Sequence, residues 1–368
     1  MDERIKKLSK TIVDYSIAVK ENDKVLISCS IECKPLVKQL LADIALKKAH
    51  AFVDLYDSEL EALLLKNTSE AKIPMIKKQK RYDVDTYDCF IHIRYTKNEY
   101  EGKDVPANIR KQIGEATVEE DDIRINERRW VLLNYPSEID AYKAQKSTEE
   151  FTNYALDVMT VDYKKMHDAM VPLKKLMEKT DKVRLVAPNT DITFSIKDIP
   201  VVPCCGENNI PDGEIFTAPV KESINGTITF NTPCPYQGNI YTGVSLTYEN
   251  GKLVECHCNE DNEALKTIFD TDEGSRYVGE FSIGVNPQIL DPMGDILYDE
   301  KILGSIHFTP GRAYKEAFNG NTSAIHWDMV LVMRKEYGGG EIYFDDQLIR
   351  KDGIFTLEEL KPLNYHLK

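Results

Sequence analysis

Four short apolar runs rich in β-branched and aromatic residues recur through the first part of the chain, at residues 24–28 (KVLIS), 51–56 (AFVDLY), 89–93 (CFIHI) and 130–135 (WVLLNY). Between them lie stretches such as KPLVKQLLADIALKKA, whose apolar residues recur at the 3.6-residue spacing of a helix. Strands that alternate with helices pair in parallel, because a parallel pair needs a long crossover. The pattern therefore predicts an α/β N-terminal domain with a parallel sheet.

The texture then changes. Ser147 with Glu150 three residues later has the form of a capping box. It opens a helical stretch running through MHDAMVPLKKLMEK, with an interruption expected at Pro172. After residue 180 the chain turns to short strands and turns: VRLVA, ITFSI, GTITF, GVSLTY with ENGK as a hairpin turn, and GEIYFDD. The expected organisation is an α/β domain over residues 1–180 and an α+β, largely mixed-β domain over 181–368. No internal repeat is visible.

The chain has 368 residues, 42% of them hydrophobic, which is enough for two cores. Its net charge of -14 argues against nucleic-acid binding, which draws on Lys and Arg to neutralise phosphates. The lysine cluster KKQK at 77–80 reads as a solvated face. The charged start lacks the apolar core of a secretory signal, and no stretch reaches the ~18 apolar residues of a membrane span. A cytoplasmic location is expected, with no membrane association. Eight scattered cysteines form no pair of C-x-x-C knuckles and read as reduced thiols, those of the CHC at 256–258 included.

Signatures of nucleotide cofactors, serine hydrolases and H-E-x-x-H helices are absent. What remains is a set of carboxylate and histidine motifs, all in the second domain: PDGEIFTAP (211–219), GEFSIGVNP (279–287), YDEKILGSIHFTPGRAY (298–314) and SAIHWDMV (323–330). Each sets an ionisable group among Gly, Pro and apolar residues. On a strand His326 and Asp328 face the same way, at the mouth of the apolar run Met329–Met333. Carboxylates gathered into one partly buried site repel one another unless a cation is present. Carboxylate and imidazole without thiolate form a borderline-to-hard ligand set, suited to Zn, Mn, Co or Fe(II).

These four stretches, in this order, resemble the metal-dependent aminopeptidases of the aminopeptidase T and aminopeptidase S family. The resemblance covers most of the second domain by motif and the first by its α/β pattern. It implies two divalent metal ions per chain (Zn, Co, Mn or Mg), held by Glu214, Glu280, Glu300, His307, His326 and Asp328. It further implies catalytic roles for Tyr314 and Glu214, peptide substrates with a free N-terminus, and a homodimer. Gly213 stands where many members carry a second glutamate, and the Glu300 to His307 interval is two residues longer than usual.

Two other readings follow from the same residues. His307, His326 and Asp328 could supply the two-histidine, one-carboxylate triad of a ring-cleaving Fe(II) dioxygenase on this scaffold. A non-catalytic metal-binding relative is the third. In the hydrolytic reading the metals lower the pKa of a shared water and polarise the scissile carbonyl, a glutamate accepts the proton, and Tyr314 donates to the oxyanion.

Overall fold

A computed structural model describes residues 2–364. The chain divides into two compact units, one built from the chain up to Thr160 with Gly206–Pro211, the other from Val161–Cys205 and the chain from Asp212 onward.

In the first unit the four runs form strands Lys24–Cys29, His50–Leu55, Cys89–Arg94 and Arg129–Asn134, all paired in parallel. The sheet order is His50–Leu55, Lys24–Cys29, Cys89–Arg94, Arg129–Asn134, with the short strand Asn209–Ile210 beside the last. Helix Lys34–Leu46 shows why the crossover forms: Pro35 occupies its first turn, and Leu36, Val37, Leu40 and Ile44 make a buried stripe at helical spacing. Helices Ile73–Thr86 and Ala107–Glu127 make the later crossovers. The expected parallel α/β layer is what the chain builds.

The helical stretch after Ser147 is broken elsewhere than at the proline. Ser147 Oγ accepts from Glu150 N at 3.2 Å and caps helix Thr148–Met159. A second helix, Tyr163–Met177, starts where Asp162 accepts from Lys165 N at 3.0 Å, and Pro172 lies inside it. An aspartate cap three residues past the first helix starts a second one, which carries Pro172 in its interior. The first helix belongs to the first unit and the second to the second. Thr160 closes the first stretch of one unit and Val161 opens the other.

The second unit is antiparallel throughout its sheets. One has eight strands, in the order Lys252–His257, Ser245–Glu249, Asn225–Thr229, Thr190–Ser195, Lys182–Ala187, Glu341–Phe344, Gln347–Lys351, Ile354–Phe355. A two-stranded one pairs Cys234–Tyr236 with Asn239–Tyr241, and the third has five strands, in the order Met329–Val332, Ser305–Pro310, Val278–Gly284, Glu214–Thr217, Val202–Cys204. Side chains alternate between the two faces of this five-stranded sheet. Phe281 and Phe308 take one face and meet Phe194 of the larger sheet at ring distances of 5.0 and 5.4 Å, with Tyr248 at 6.1 Å from Phe308. All four rings are buried, so two sheets pack face to face on an aromatic core. Glu280, Ser282, His307 and Thr309 are the alternate residues and take the opposite face.

Because that core backs the ionisable face, Phe194→Ala should lower the unfolding free energy by about 3–5 kcal/mol. Urea titration measures it, and a loss below ~1 kcal/mol would show that the two sheets do not depend on this contact.

Candidate metal centre

The five-stranded sheet brings the motif residues together by register. Ser282 lies opposite both His307 and Phe216, Glu280 opposite Thr309, and Gly284 opposite Glu214. Val330 lies opposite His307, so Asp328, two residues earlier, extends the same face. His326 is tied to the sheet by a bridge to Gly311.

Glu280 stands at the middle of the cluster. Its Oε1 lies 2.8 Å from His307 Nε2, and its Oε2 lies 3.7 Å from His326 Nε2. Glu214 Oε2 is 3.3 Å from His307 Nε2, and Asp328 Oδ1 is 3.3 Å from His326 Nε2. Two ligand trios follow, Glu214 with Glu280 and His307, and Glu280 with His326 and Asp328, each with its ligand atoms within 4.8 Å of one another. Glu300, His307 and Asp328 make a third such group. All six residues named from the motifs therefore lie in one cluster. The Fe(II) triad is not isolated there, since Glu280 sits between the two imidazoles.

The residues fit a metal on grounds beyond their proximity. Glu280 Oε2 is buried without a hydrogen-bond partner, a costly state for a carboxylate oxygen unless a cation takes it. His307 Nδ1 lies 3.3 Å from Glu300 O, and His326 Nδ1 lies 2.7 Å from Arg312 O. A carbonyl only accepts, so each Nδ1 carries its proton and turns Nε2 toward the carboxylates as the ligand atom. Thr309 Oγ1 donates to Asp328 at 2.7 Å, and Ser282 Oγ lies 3.0 Å from Glu214 Oε2. The trios are carboxylate and imidazole, a set for borderline or hard divalent ions.

Sequence motifs did not single out Ser282, Thr309 or Lys301. The first two were open to a period-two reading, since each follows a motif residue by two on the same strand. Lys301 Nζ is fully buried and is paired with Glu300 and, at 3.3 Å, with Glu214 Oε1. Nothing in the spacing of YDEK reveals that its lysine turns inward. Cys204 lies opposite Glu214 and, with Asp212, forms a further group of ligand type beside the cluster.

Gly213 also has a structural reason. Its φ of +136° disfavours a side chain, and a Cβ there would come 2.8 Å from Asn286 Cβ. A glutamate at this position would not fit the backbone this chain adopts. Gly284 is needed for close approach, since a Cβ would lie 2.4 Å from Ile302 O, in the segment that carries Glu300 and Lys301 over the sheet.

Without a cation the cluster holds its charges by protonation. Burial pushes Glu280 up, and pushes Glu300 up to about 8. Burial opposes charge on the imidazoles, but Glu214 and Glu280 raise His307 to about 10, and Asp328 raises His326 to about 9. Burial likewise disfavours charge on Asp328, yet His326 holds it well below the ordinary carboxylate range. Tyr314 packs its ring 4.6 Å from that of His326 and 6.0 Å from Phe216. Burial, then Asp328 and the glutamates, keep its hydroxyl protonated as a donor.

Below these raised values both imidazoles carry a second proton that a metal must displace. Affinity for a divalent cation should therefore rise from about pH 6 to 8, roughly tenfold per pH unit for each proton displaced. Calorimetric titration in buffers of different ionisation heat counts the released protons. A pH-independent affinity would place the ion away from His307 and His326.

Comparison with known proteins gives a consistent set of likenesses. A family model described as thermophilic metalloprotease (M29) matches residues 1–355. Aminopeptidase AmpS of Bacillus subtilis (strain 168) is 35% identical over 115 residues, 30% of this chain and 27% of that protein. Aminopeptidase T of Thermus thermophilus is 33% identical over 164 residues, 42% of this chain and 38% of that protein. The matched segments thus span well under half of either relative. The solved structure of wild-type AmpT from Thermus thermophilus superposes with a TM-score of 0.81 over 96% of this chain and 99% of that one, at 17% identity, a likeness of fold.

Proposed function

The chain belongs to the thermophilic metalloprotease (M29) family, and from that premise we propose that it is a metal-dependent aminopeptidase acting on peptides with a free N-terminus. The observation that carries this reading is Glu280, whose two oxygens face two different imidazoles, one of them lacking any hydrogen-bond partner. A carboxylate so placed is suited to bridge two cations, with Glu214 and His307 completing one position and His326 and Asp328 the other.

Bound divalent ions, of Zn, Co, Mn or Mg, supply Lewis acidity at the scissile carbonyl and lower the pKa of the attacking water. The side chains supply the rest. Glu214 has both oxygens engaged, Oε1 by Lys301 and Oε2 by Ser282 and His307, which suits it to ligation more than to proton transfer. Glu300 has one oxygen on Lys301 and lies at the border of the cluster, grouped with His307 and Asp328, within reach of a water held there. We assign it the proton of the water, and its delivery to the leaving amine. Tyr314, protonated beside His326, donates to the oxygen that gains charge. The surrounding carboxylates favour a substrate ammonium, and hence a free N-terminus.

The eight free cysteines accord with a reducing compartment, so a cytoplasmic homodimer is the working form this reading adopts. Among the described residues no helix is long and apolar enough to cross a membrane.

The reading is tested by release of N-terminal amino acids from a mixed set of free peptides, using chelator-stripped protein with Zn, Co or Mn restored. N-acetylated peptides serve as the control. Turnover that needs metal and stops at the acetyl cap is the expected result, and no turnover with any of the ions refutes it. Tyr314→Phe should lower kcat by roughly 10²–10³ with metal content unchanged. Glu280→Gln should lose metal as well as activity, read by elemental analysis after dialysis. Full retention of metal would remove Glu280 from the bridging position.

A further inference from the structure

Lys301 is a buried cationic side chain within a cluster otherwise made of carboxylates and imidazoles. Its side chain has no exposed surface, and its Nζ is paired with Glu300 and lies 3.3 Å from Glu214 Oε1. Its backbone is fixed on both sides: Lys301 N donates to Tyr298 O at 3.0 Å and Lys301 O accepts from Asn286 N at 3.1 Å. The segment packs closely on the sheet at Gly284, where a Cβ would lie 2.4 Å from Ile302 O. A buried ammonium is thus built into one side of the cluster, against Glu214, while His326 and Asp328 lie on the other side of Glu280.

A second cation near a fixed positive charge is repelled, and a carboxylate already shared with an ammonium attracts it less. The two trios feel this unequally. Glu214 ligates only in the first, and Lys301 holds its other oxygen. The second trio shares only Glu280 with the first, and Glu280 makes no ion pair with Lys301 among the described pairs; Lys301 reaches Asp328 only through Glu300, which it holds and which groups with His307 and Asp328. We propose that Lys301, buried and held against Glu214 at one end of the cluster, makes the two metal positions unequal. The position of Glu280, His326 and Asp328 binds a divalent ion tightly, and that of Glu214, Glu280 and His307 binds a second one weakly. The protein then keeps one ion at low metal concentration and takes the other only as free metal rises.

The inference rests on the cluster being a metal site, and the experiment separates the two claims. Chelator-stripped full-length protein is titrated with Co2+ alone, by calorimetry and by equilibrium dialysis. Two binding steps separated by at least about tenfold are expected, with Asp328→Asn removing the tight step and Glu214→Gln the weak one. Lys301→Gln should tighten the weak step by about tenfold or more and leave the tight step in place.

Two ions bound with equal affinity by the wild-type protein would overturn the proposal while leaving the metal site standing. An unchanged weak step in Lys301→Gln, with the fold intact by circular dichroism, would overturn it as well. If that variant does not fold, the wild-type titration and the Asp328→Asn and Glu214→Gln assignments decide alone. No Co2+ binding at all would overturn the metal reading and this inference with it.

Discussion

Carboxylates crowded on one buried sheet face are the constraint on which the second unit turns. Glu214, Glu280, Glu300 and Asp328 share a cluster in which each is mostly or wholly buried, and like charges so placed cannot all ionise unaided. The chain answers with two imidazoles and one buried lysine. Those groups leave one buried Glu280 oxygen without a hydrogen bond, the feature on which the proposed metal site rests.

That crowding is tolerable because the sheet beneath is rigid. Period-two alternation sends Phe281 and Phe308 into an aromatic core and Glu280 and His307 to the other side. Backbone carbonyls of Glu300 and Arg312 fix the two imidazoles, and Thr309 and Ser282 hold two of the carboxylates. Four of the six candidate ligands are thus each held by a backbone carbonyl or a hydroxyl, which fixes the orientation of both rings.

Lys301 changes what kind of centre this is. A site made only of carboxylate and imidazole would treat two cations much alike, whereas an ammonium fixed against Glu214 gives the cluster a polarity. The same pair also restrains Glu300, whose ordinary acidity is further suppressed by burial. Glu214 and Glu300, equivalent as letters in the chain, thereby sit in different surroundings: one touches Ser282 and His307 as well as Lys301, the other is raised by burial beside Lys301.

The sequence by itself determined the parallel α/β layer of the first unit, because strand runs and helical spacing are local patterns that survive in one dimension. It also named six candidate ligands and Tyr314, through short motifs whose order resembles that of a known family. Only the tertiary structure decided how they group. Register set Glu280 between His307 and His326, and a turn over Gly284 brought Lys301 inward. The same holds for the break between helices at Thr160–Asp162, where a side-chain cap overrode the more conspicuous Pro172. Contacts between residues far apart in the chain leave no periodic trace, so charge pairing and ligand sharing became visible only once the strands were side by side.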